Sequence, residues 1–287
     1  MRKSILFIRN AAVACAAAAL VFTRVAAAAD AGAGTEFAVS PQAAASLARG
    51  ADVVILGEVH DNARHHLNQA EILSHIAPRA VVWEMITQEQ ADALTSDILG
   101  SAEATAKILD WSASGWPAFD LYAPVFAAAA PAEQYGALVP RSEARSALEQ
   151  GVAKFFGARA AAFGLDQPLP DAEQSAREAD QMTNHCNAMP EEMLPVLVDF
   201  QRLRDAALAA AADRALKETG GPVVVITGNG HARLDRGLAV YLAKARPGVD
   251  VLSLGQSEGG AISGDFDLLL DSPAVERPDP CLAFKKG

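Results

Sequence analysis

The stretch ADVVILGEVHDNARHH, residues 51–66, has the pattern of a buried strand that ends in a cluster of polar side chains. Its apolar run, Val53 to Leu56, stops at Gly57. Six ionisable or metal-binding side chains follow within nine residues: Glu58, His60, Asp61, Arg64, His65 and His66. A strand that ends at a glycine and presents polar groups is typical of an active or binding site in an α/β protein.

The residues that follow predict a strand–helix–strand unit. Asp61 is placed to cap a helix that runs to about Ile76, with apolar residues along one face at helical spacing. A second apolar strand, residues 80–83, again ends in a carboxylate, Glu84. Two strands joined by a helix over so short a stretch lie parallel, so this unit predicts a parallel sheet.

Apolar runs later in the chain predict four more strands, at residues 136–139, 223–227, 250–254 and 266–270. The first of these ends near Arg141, the second ends in Gly228-Asn229-Gly230-His231, and the last is predicted at a sheet edge. A helical insertion or small helical subdomain is predicted at about residues 152–205, where strand signals are few. We therefore predict an α/β fold with a mostly parallel sheet flanked by helices, in a single domain over residues 30–287.

Parallel strands place their carboxyl ends at one edge of the sheet, and ligands bind in the crevice outside that edge. Glu58, His60, Glu84 and His231 are therefore predicted to converge. Such a set suits a divalent metal such as zinc or iron, or a catalytic group with a general base. It also suits a larger cofactor, for which the candidate binding residues are His60, His65, His66, Asn229, His231 and Arg141.

Other polar residues are predicted to be less informative. His65 and His66 are about 100° apart on their helix, so only one of them is expected to face the crevice. Arg204 and Asp205 have the pattern of surface charges on a long helix. The three tyrosines of the chain have no spacing that marks a function. Whether the protein is an enzyme stays open at this point.

The first 29 residues are predicted to be a secretory signal peptide. They have a basic start, an apolar run over residues 11–22, and Ala27-Ala28-Ala29 before Asp30. A periplasmic or secreted protein is therefore expected. A lipoprotein anchored at Cys15 is the less favoured alternative, because the residues around that cysteine match a lipoprotein signal poorly. Membrane association is left open.

Charge and cysteine content narrow the class of protein. The formal net charge is −11, and it becomes more negative when the four basic residues of the signal are removed, so no nucleic-acid partner is expected. An apolar content of 51% indicates a folded chain. Cys186 and Cys281 remain after cleavage, and in an exported protein they can form a disulfide or stay as two unpaired thiols.

Three separated motifs resemble the ChaN-like family of haem-binding, iron-regulated proteins, also described as a cofactor haem-binding domain. They are LGEVHDNARHH at residues 56–66, HCNAMPEEMLPVLVDFQRLRDAALA at residues 185–209, and VVVITGNGHARLDRGLAVYL at residues 223–242. The similarity spans roughly residues 50–255. It implies an exported α/β protein that binds haem and takes part in iron acquisition or haem handling.

The resemblance also implies a possible homodimer, because stacked haems at a dimer interface are known for the family. It further implies a tyrosine as the axial ligand of haem, without indicating which tyrosine. More distantly, Glu58, His60, Glu84 and His231 are similar to the pattern of erythromycin-esterase-type hydrolases and of the TraB/Tiki metal-dependent proteases. The alternative function is therefore a metal-dependent hydrolase that uses this Glu/His crevice.

Overall fold

The computed structural model describes residues 39–260 and 262–282. The predicted signal peptide, residues 1–29, and Cys15 lie outside the described residues. In the part that is described, no helix is both long and apolar enough to cross a membrane.

The centre of the fold is a sheet of six parallel strands in the order β3-β2-β4-β1-β5-β6. The strands are β1 Val53–Leu56, β2 Ala80–Trp83, β3 Glu133–Gly136, β4 Val223–Ile226, β5 Val251–Glu258 and β6 Leu268–Ser272. Strands β1, β2 and β4 are apolar and buried along their whole length. Such continuous apolar runs are expected of strands covered on both faces, because parallel sheets carry helices on each side.

Thirteen helices are found among the described residues: α1 Pro41–Leu47, α2 Ala63–Ile76, α3 Gln88–Asp92, α4 Ser96–Leu99, α5 Ala102–Ile108, α6 Trp111–Ser114, α7 Phe119–Ala129, α8 Arg141–Gln150, α9 Val152–Phe156, α10 Asp171–Asn184, α11 Leu194–Thr219, α12 Asn229–Ala232 and α13 Leu238–Ala245. Short 3₁₀ turns lie at Gly157–Arg159, Ala161–Phe163 and Glu191–Met193.

The helices form two layers because alternate strand residues point to opposite faces of the sheet. Val54 and Leu56 belong to the core beneath α1, α2 and α7, together with residues of the short helices between β2 and β3. Val53 and Ile55 point the other way and pack against α11 and α13. The predicted fold class, a parallel α/β sheet flanked by helices, is confirmed.

The third strand lies earlier in the chain than the sequence predicts, at Glu133–Gly136 instead of 136–139. It is an edge strand, and only its last two residues are buried, so its apolar signal is weak. The side chain of Gln134 accepts a hydrogen bond from Trp83 Nε1 (2.8 Å), which joins β3 to β2. The more apolar residues 137–139 follow the strand instead of forming it.

Helix α2 is capped by Asn62, whereas the sequence predicts Asp61 as the cap. The Asn62 side chain accepts from the backbone N–H groups of Arg64 (2.9 Å) and His65 (3.4 Å). Asp61 instead binds Arg277 through two hydrogen bonds of 2.6 Å each. The Asp61 carboxylate, which the local sequence pattern assigned to the helix cap, therefore forms a tertiary ion pair instead.

The C-terminal segment, residues 273–282, is tied to the body at two points. Arg277 bridges Asp61 and Glu258, with four hydrogen bonds between 2.6 and 2.8 Å. A disulfide joins Cys281 to Cys186, just beyond the end of α10. Of the two states that the sequence leaves open for these cysteines, the structure contains the disulfide.

Candidate functional site

The candidate site lies where β1, β2 and β4 end side by side. Leu56 of β1 and Trp83 of β2 both pair with Ile226, the last residue of β4. The residues that follow each strand therefore emerge at the same level of the sheet edge. The structure brings Glu58, His60, Glu84 and His231 together there, which is the predicted convergence.

Glu58 and His60 form a closely bonded pair after β1. The Nδ1 atom of His60 donates to Glu58 Oε1 across 2.7 Å. The hydroxyl of Tyr122, on α7, donates to the same oxygen (2.8 Å), and Gln69 Nε2 donates to Oε2 (2.8 Å). The carboxylate is almost fully buried, and these three donors satisfy its charge.

The carboxylates around His60 control its protonation. Burial alone would lower the pKa of His60, but the hydrogen bond to Glu58 and the charges of Glu84 and Glu58 outweigh burial and raise it. Burial, the charge of Glu58 and the hydrogen bond to Glu58 raise the pKa of Tyr122 strongly, so its hydroxyl remains a donor. A third of the His60 side chain, 33%, is exposed, and its Nε2 atom faces the crevice.

Glu84, after β2, is held by donors from two other elements. Its Oε2 atom accepts from Thr227 Oγ1 and from the backbone N–H of Gly228, both at 2.7 Å. Its Oε1 atom accepts a hydrogen bond from Arg204 of α11 and lies 3.6 Å from His231 Nε2. Although burial favours the neutral acid, the charges of His231, Arg204 and His60 hold the pKa of Glu84 at about 2.

His231, on α12, forms a second imidazole–carboxylate pair. Its Nδ1 atom donates to Asp205 Oδ1 across 2.6 Å, and the Gln201 side chain lies 3.0 Å from the same nitrogen. Burial raises the pKa of Asp205 even though His231 acts in the opposite direction. The crevice thus contains two pairs, Glu58–His60 and Asp205–His231, with Glu84 between them.

His65 and His66 lie in the interior and not on the crevice surface. His65 is fully buried, and its Nδ1 atom accepts from the backbone N–H of Val59 (2.9 Å). His66 is also fully buried, and its Nε2 atom donates to the carbonyl oxygen of His60 (2.9 Å). These two side chains hold the β1–α2 loop through hydrogen bonds to its backbone, and neither has a surface exposed for contact with a cofactor.

Asn229, the first residue of α12 after β4, bonds to strand β5. Its side chain donates to the carbonyl oxygen of Gln256 (2.8 Å) and accepts from the N–H of the same residue (3.0 Å). A β-carbon on Gly57 would collide with the Asn229 side-chain oxygen, so glycine at this position lets the loops after β1 and β4 approach. Both polar ends of the predicted cofactor ligand Asn229 are therefore occupied by the backbone of β5.

Arg141 does not follow the third strand directly, because residues 137–140 separate it from β3 and it begins α8. Its side chain lies outside the described residues, so its predicted contact with a cofactor stays a prediction. The expected tyrosine ligand also has no open candidate. Tyr122, Tyr135 and Tyr241 are 0%, 6% and 2% exposed, and Tyr135 donates to Glu218 at the opposite end of the sheet.

The arrangement does not form a metal centre among the residues that the structure describes, since no group of three His, Cys, Asp or Glu side chains could hold an ion together. The oxygens of Glu58 and Glu84 are already bound to internal donors. The metal role of the predicted Glu/His set therefore receives no support. What the site does offer is the partly exposed imidazole of His60, whose Nε2 atom lies beside Gly228.

Three participants were missed or misassigned at the sequence level. Tyr122 comes from α7, and its helical pattern is that of an ordinary core residue. Arg204 and Asp205 were expected to be surface charges, yet Arg204 binds Glu84 and Asp205 is 1% exposed. The only available sequence signal was weak: two adjacent charges, followed by the small, alanine-rich residues 206–212 on a helix long enough to cross the sheet.

The chain belongs to the family described as haem-binding uptake, Tiki superfamily, ChaN, whose model matches residues 44–242. This confirms the resemblance found in the three motifs. No curated protein matches the chain significantly.

Three solved structures are similar to the chain, and the first of them shares its fold. A structure described as "Cofacial heme binding to ChaN of Campylobacter jejuni" has a TM-score of 0.62 and 20% identity, and the match covers 80% of this chain and 91% of that one. The type III effector HopBA1 follows, with a TM-score of 0.49, 13% identity and coverage of 82% and 94%. A Bacillus cereus protein has a TM-score of 0.39, 14% identity and coverage of 77% and 71%.

Proposed function

We propose that this protein binds haem at the crevice and that Nε2 of His60 would be the protein's ligand to the iron. The observation that carries the proposal is the state of this imidazole. In the neutral imidazole, Glu58 holds the proton on Nδ1, so the lone pair is on Nε2, and this atom faces the crevice. A carboxylate on the far nitrogen also orients a ligating imidazole and raises its basicity.

The other histidines near the crevice are less suited to this role. His65 and His66 are 0% exposed and bonded internally, and His231 is 4% exposed with its Nδ1 atom on Asp205. The three tyrosines are buried as well. Among the described tyrosines and the histidines grouped at this edge of the sheet, His60 is thus the ligand that the donor chemistry favours.

Aromatic side chains beside His60 and on α11 suit a large, flat and mainly apolar ligand. The ring of Trp116 lies 4.8 Å from the His60 ring, centroid to centroid. Phe200 packs under the guanidinium of Arg204, the residue that binds Glu84. Phe200 also lines an apolar groove of about 510 Å³, together with Leu148, Met193, Val196, Leu197, Arg145 and Glu149. We propose that these apolar residues would hold the macrocycle and that Arg145 would pair with a propionate.

When bound, haem would supply an iron atom that takes one imidazole nitrogen. The chain's own residues have separate tasks in this proposal. Glu58 and Tyr122 keep the Nδ1 proton of His60 in place, and Gly228 leaves space beside Nε2. Glu84 and His231 close the floor of the crevice through their shared contact and the bond to Arg204.

Titration of hemin into the purified full chain tests the proposal. A Soret band that saturates at a fixed stoichiometry is expected, and His60→Ala should weaken binding by about tenfold or more. His75→Ala is the matched control, because His75 is half-exposed near the far end of α2. Featureless absorption without saturation, or a His60→Ala protein with the wild-type spectrum and affinity, would contradict the proposal.

We further propose that the protein is exported and handles haem or iron in the periplasm or outside the cell. The sequence of residues 1–29 supports this, and so does the Cys186–Cys281 disulfide, since disulfides persist in oxidising compartments. Cell fractionation and signal-peptide cleavage analysis test it. Full-length protein retained in the cytoplasm with free thiols would refute it.

A haem-bridged homodimer is part of the same proposal, by analogy with the cofacial haem binding described for ChaN of Campylobacter jejuni. Light scattering before and after hemin addition measures it. A molar mass that stays monomeric at saturating hemin would count against a bridged pair. The metal-dependent hydrolase is not proposed, because no described contact favours it.

A further inference from the structure

We propose that Tyr122 is a positioning residue for His60: through Glu58 it sets where the imidazole proton lies and how strongly Nε2 donates electrons. The inference rests on the proposed function, because the donor strength of Nε2 matters most if His60 binds the haem iron. It concerns a residue that no sequence pattern marked.

The basis is that one carboxylate oxygen serves two donors. Glu58 Oε1 accepts from His60 Nδ1 at 2.7 Å and from the Tyr122 hydroxyl at 2.8 Å. The two donors are themselves 3.3 Å apart, so they compete for the same electron density. The hydrogen bond from Tyr122 withdraws electron density from this oxygen and so weakens the hydrogen bond between Glu58 and the Nδ1 proton of His60.

Tyr122 is fixed in this position. The side chain is 0% exposed, and its ring lies against His66 (4.1 Å between centroids) and Trp111 (5.0 Å). The other oxygen of Glu58 is held by Gln69 Nε2 at 2.8 Å. Neither the phenol nor the carboxylate can turn away, so the hydroxyl acts permanently on Glu58 and through it on His60.

Two substitutions should change His60 in opposite directions. Tyr122→Phe removes one donor, which makes Glu58 more basic and strengthens its hydrogen bond to Nδ1, so that Nε2 becomes a stronger donor. Glu58→Gln removes the charge and replaces one oxygen by an NH₂ group, so that the Nδ1 proton is held weakly and Nε2 becomes a weaker donor. If Tyr122 had only a structural role, the two substitutions would not change the donor strength of Nε2 in opposite directions.

The first measurement uses the apoprotein. Nitrogen-15 NMR of the imidazole nitrogens in the full chain should show His60 protonated on Nδ1 in the wild type. Tyr122→Phe should shift the Nδ1 proton downfield, as for a stronger hydrogen bond, and Glu58→Gln should give a mixture of tautomers. Tyr135→Phe is the matched control, since it removes a similar hydroxyl–carboxylate bond (2.7 Å, to Glu218) at the other end of the sheet.

The second measurement is the midpoint potential of the hemin complex. Tyr122→Phe should favour ferric over ferrous haem by about tenfold, which is about 59 mV for a one-electron couple, and Glu58→Gln should shift the potential upward. Unchanged His60 resonances in Tyr122→Phe would overturn the inference. If those resonances shift but His60→Ala binds hemin as the wild type does, the proposed function fails and the positioning role stands.

Discussion

At position 228 the missing β-carbon leaves room for a neighbouring imidazole. A β-carbon there would lie 2.9 Å from His60 Nε2 and 3.7 Å from Glu84 Oε2, so these two groups share one small space. The backbone of Gly228 has a φ of −65°, which any residue adopts. Glycine is therefore required here by the space above the backbone and not by the backbone itself.

Gly228→Ala should consequently block the ligand atom without unfolding the chain. We expect hemin affinity to fall by about tenfold or more while the melting temperature changes little, because only His60 has to move. Gly100→Ala is the control, since a β-carbon at this exposed helix end has no neighbour closer than 3.5 Å. Wild-type affinity in Gly228→Ala would show that Nε2 is not the ligand atom.

Among the elements, α2 has a cap with two tasks. The Asn62 oxygen caps the helix that carries His65, His66 and Gln69, and its Nδ2 atom donates to Glu258 Oε1 at 2.6 Å. One side chain thus fixes the start of α2 and joins it to the end of β5. Because Gln69 of α2 also binds Glu58, the position of this helix affects the crevice directly.

Asn62→Asp separates these two tasks, because aspartate keeps the capping oxygen but cannot donate to Glu258. At pH 7 we expect the free energy of unfolding to fall by about 1–3 kcal/mol, because the buried aspartate oxygen at position 62 would face the half-buried Glu258 carboxylate without a proton between them. Chemical denaturation measures it. Ser40→Asp, at the exposed cap of α1, should be nearly neutral, and a similarly neutral Asn62→Asp would show that capping alone matters.

For the whole molecule, the C-terminal segment is the feature that closes the fold across its carboxyl edge. Arg277 connects Asp61, one residue beyond His60, with Glu258 at the end of β5. The disulfide then carries the same segment to residue 186, next to α10. Arg277 thereby holds the end of β5 beside the loop that carries His60, and the disulfide ties the same segment to the end of α10.

The Arg277 cluster predicts a specific acid sensitivity. The hydrogen bonds from Arg277 outweigh the effect of burial and hold the pKa of Glu258 at about 2, below its ordinary 4.5. A lowered folded-state pKa contributes stability that is present above pH 4.5 and lost as the pH falls toward 2. Arg277→Gln should therefore lose less stability than the wild type over this window in pH-dependent denaturation, whereas Lys107→Gln should follow the wild type.

The disulfide should contribute through the unfolded state. Its sequence separation is 95 residues, for which the chain-entropy model gives about 4–5 kcal/mol as an upper value. Adding reductant should lower the denaturation midpoint of the wild type. The Cys186→Ser/Cys281→Ser double variant should have a lower denaturation midpoint that does not change when reductant is added. A wild-type midpoint that also does not change with reductant would contradict this role.

The sequence by itself determined the parallel sheet and the polar residues at its carboxyl edge. Apolar strands with helices between them must lie parallel, and parallel strands present their ends together. The site residues around Gly57 and His60, which are close together in the sequence, could therefore be predicted from their spacing alone. The edge strand β3 was misplaced because only its last two residues are buried, so its apolar pattern is weak.

Only the tertiary structure decided which helical residues complete the site and which histidine is open. Tyr122, Arg204 and Asp205 lie 62, 120 and 26 residues from their partners His60, Glu84 and His231. Each reaches the crevice because packing sets the rotation of its helix, and a change of one residue turns a helical side chain by about 100°. The same packing buries His65 and His66 and leaves a third of the His60 side chain exposed, which no local pattern specifies.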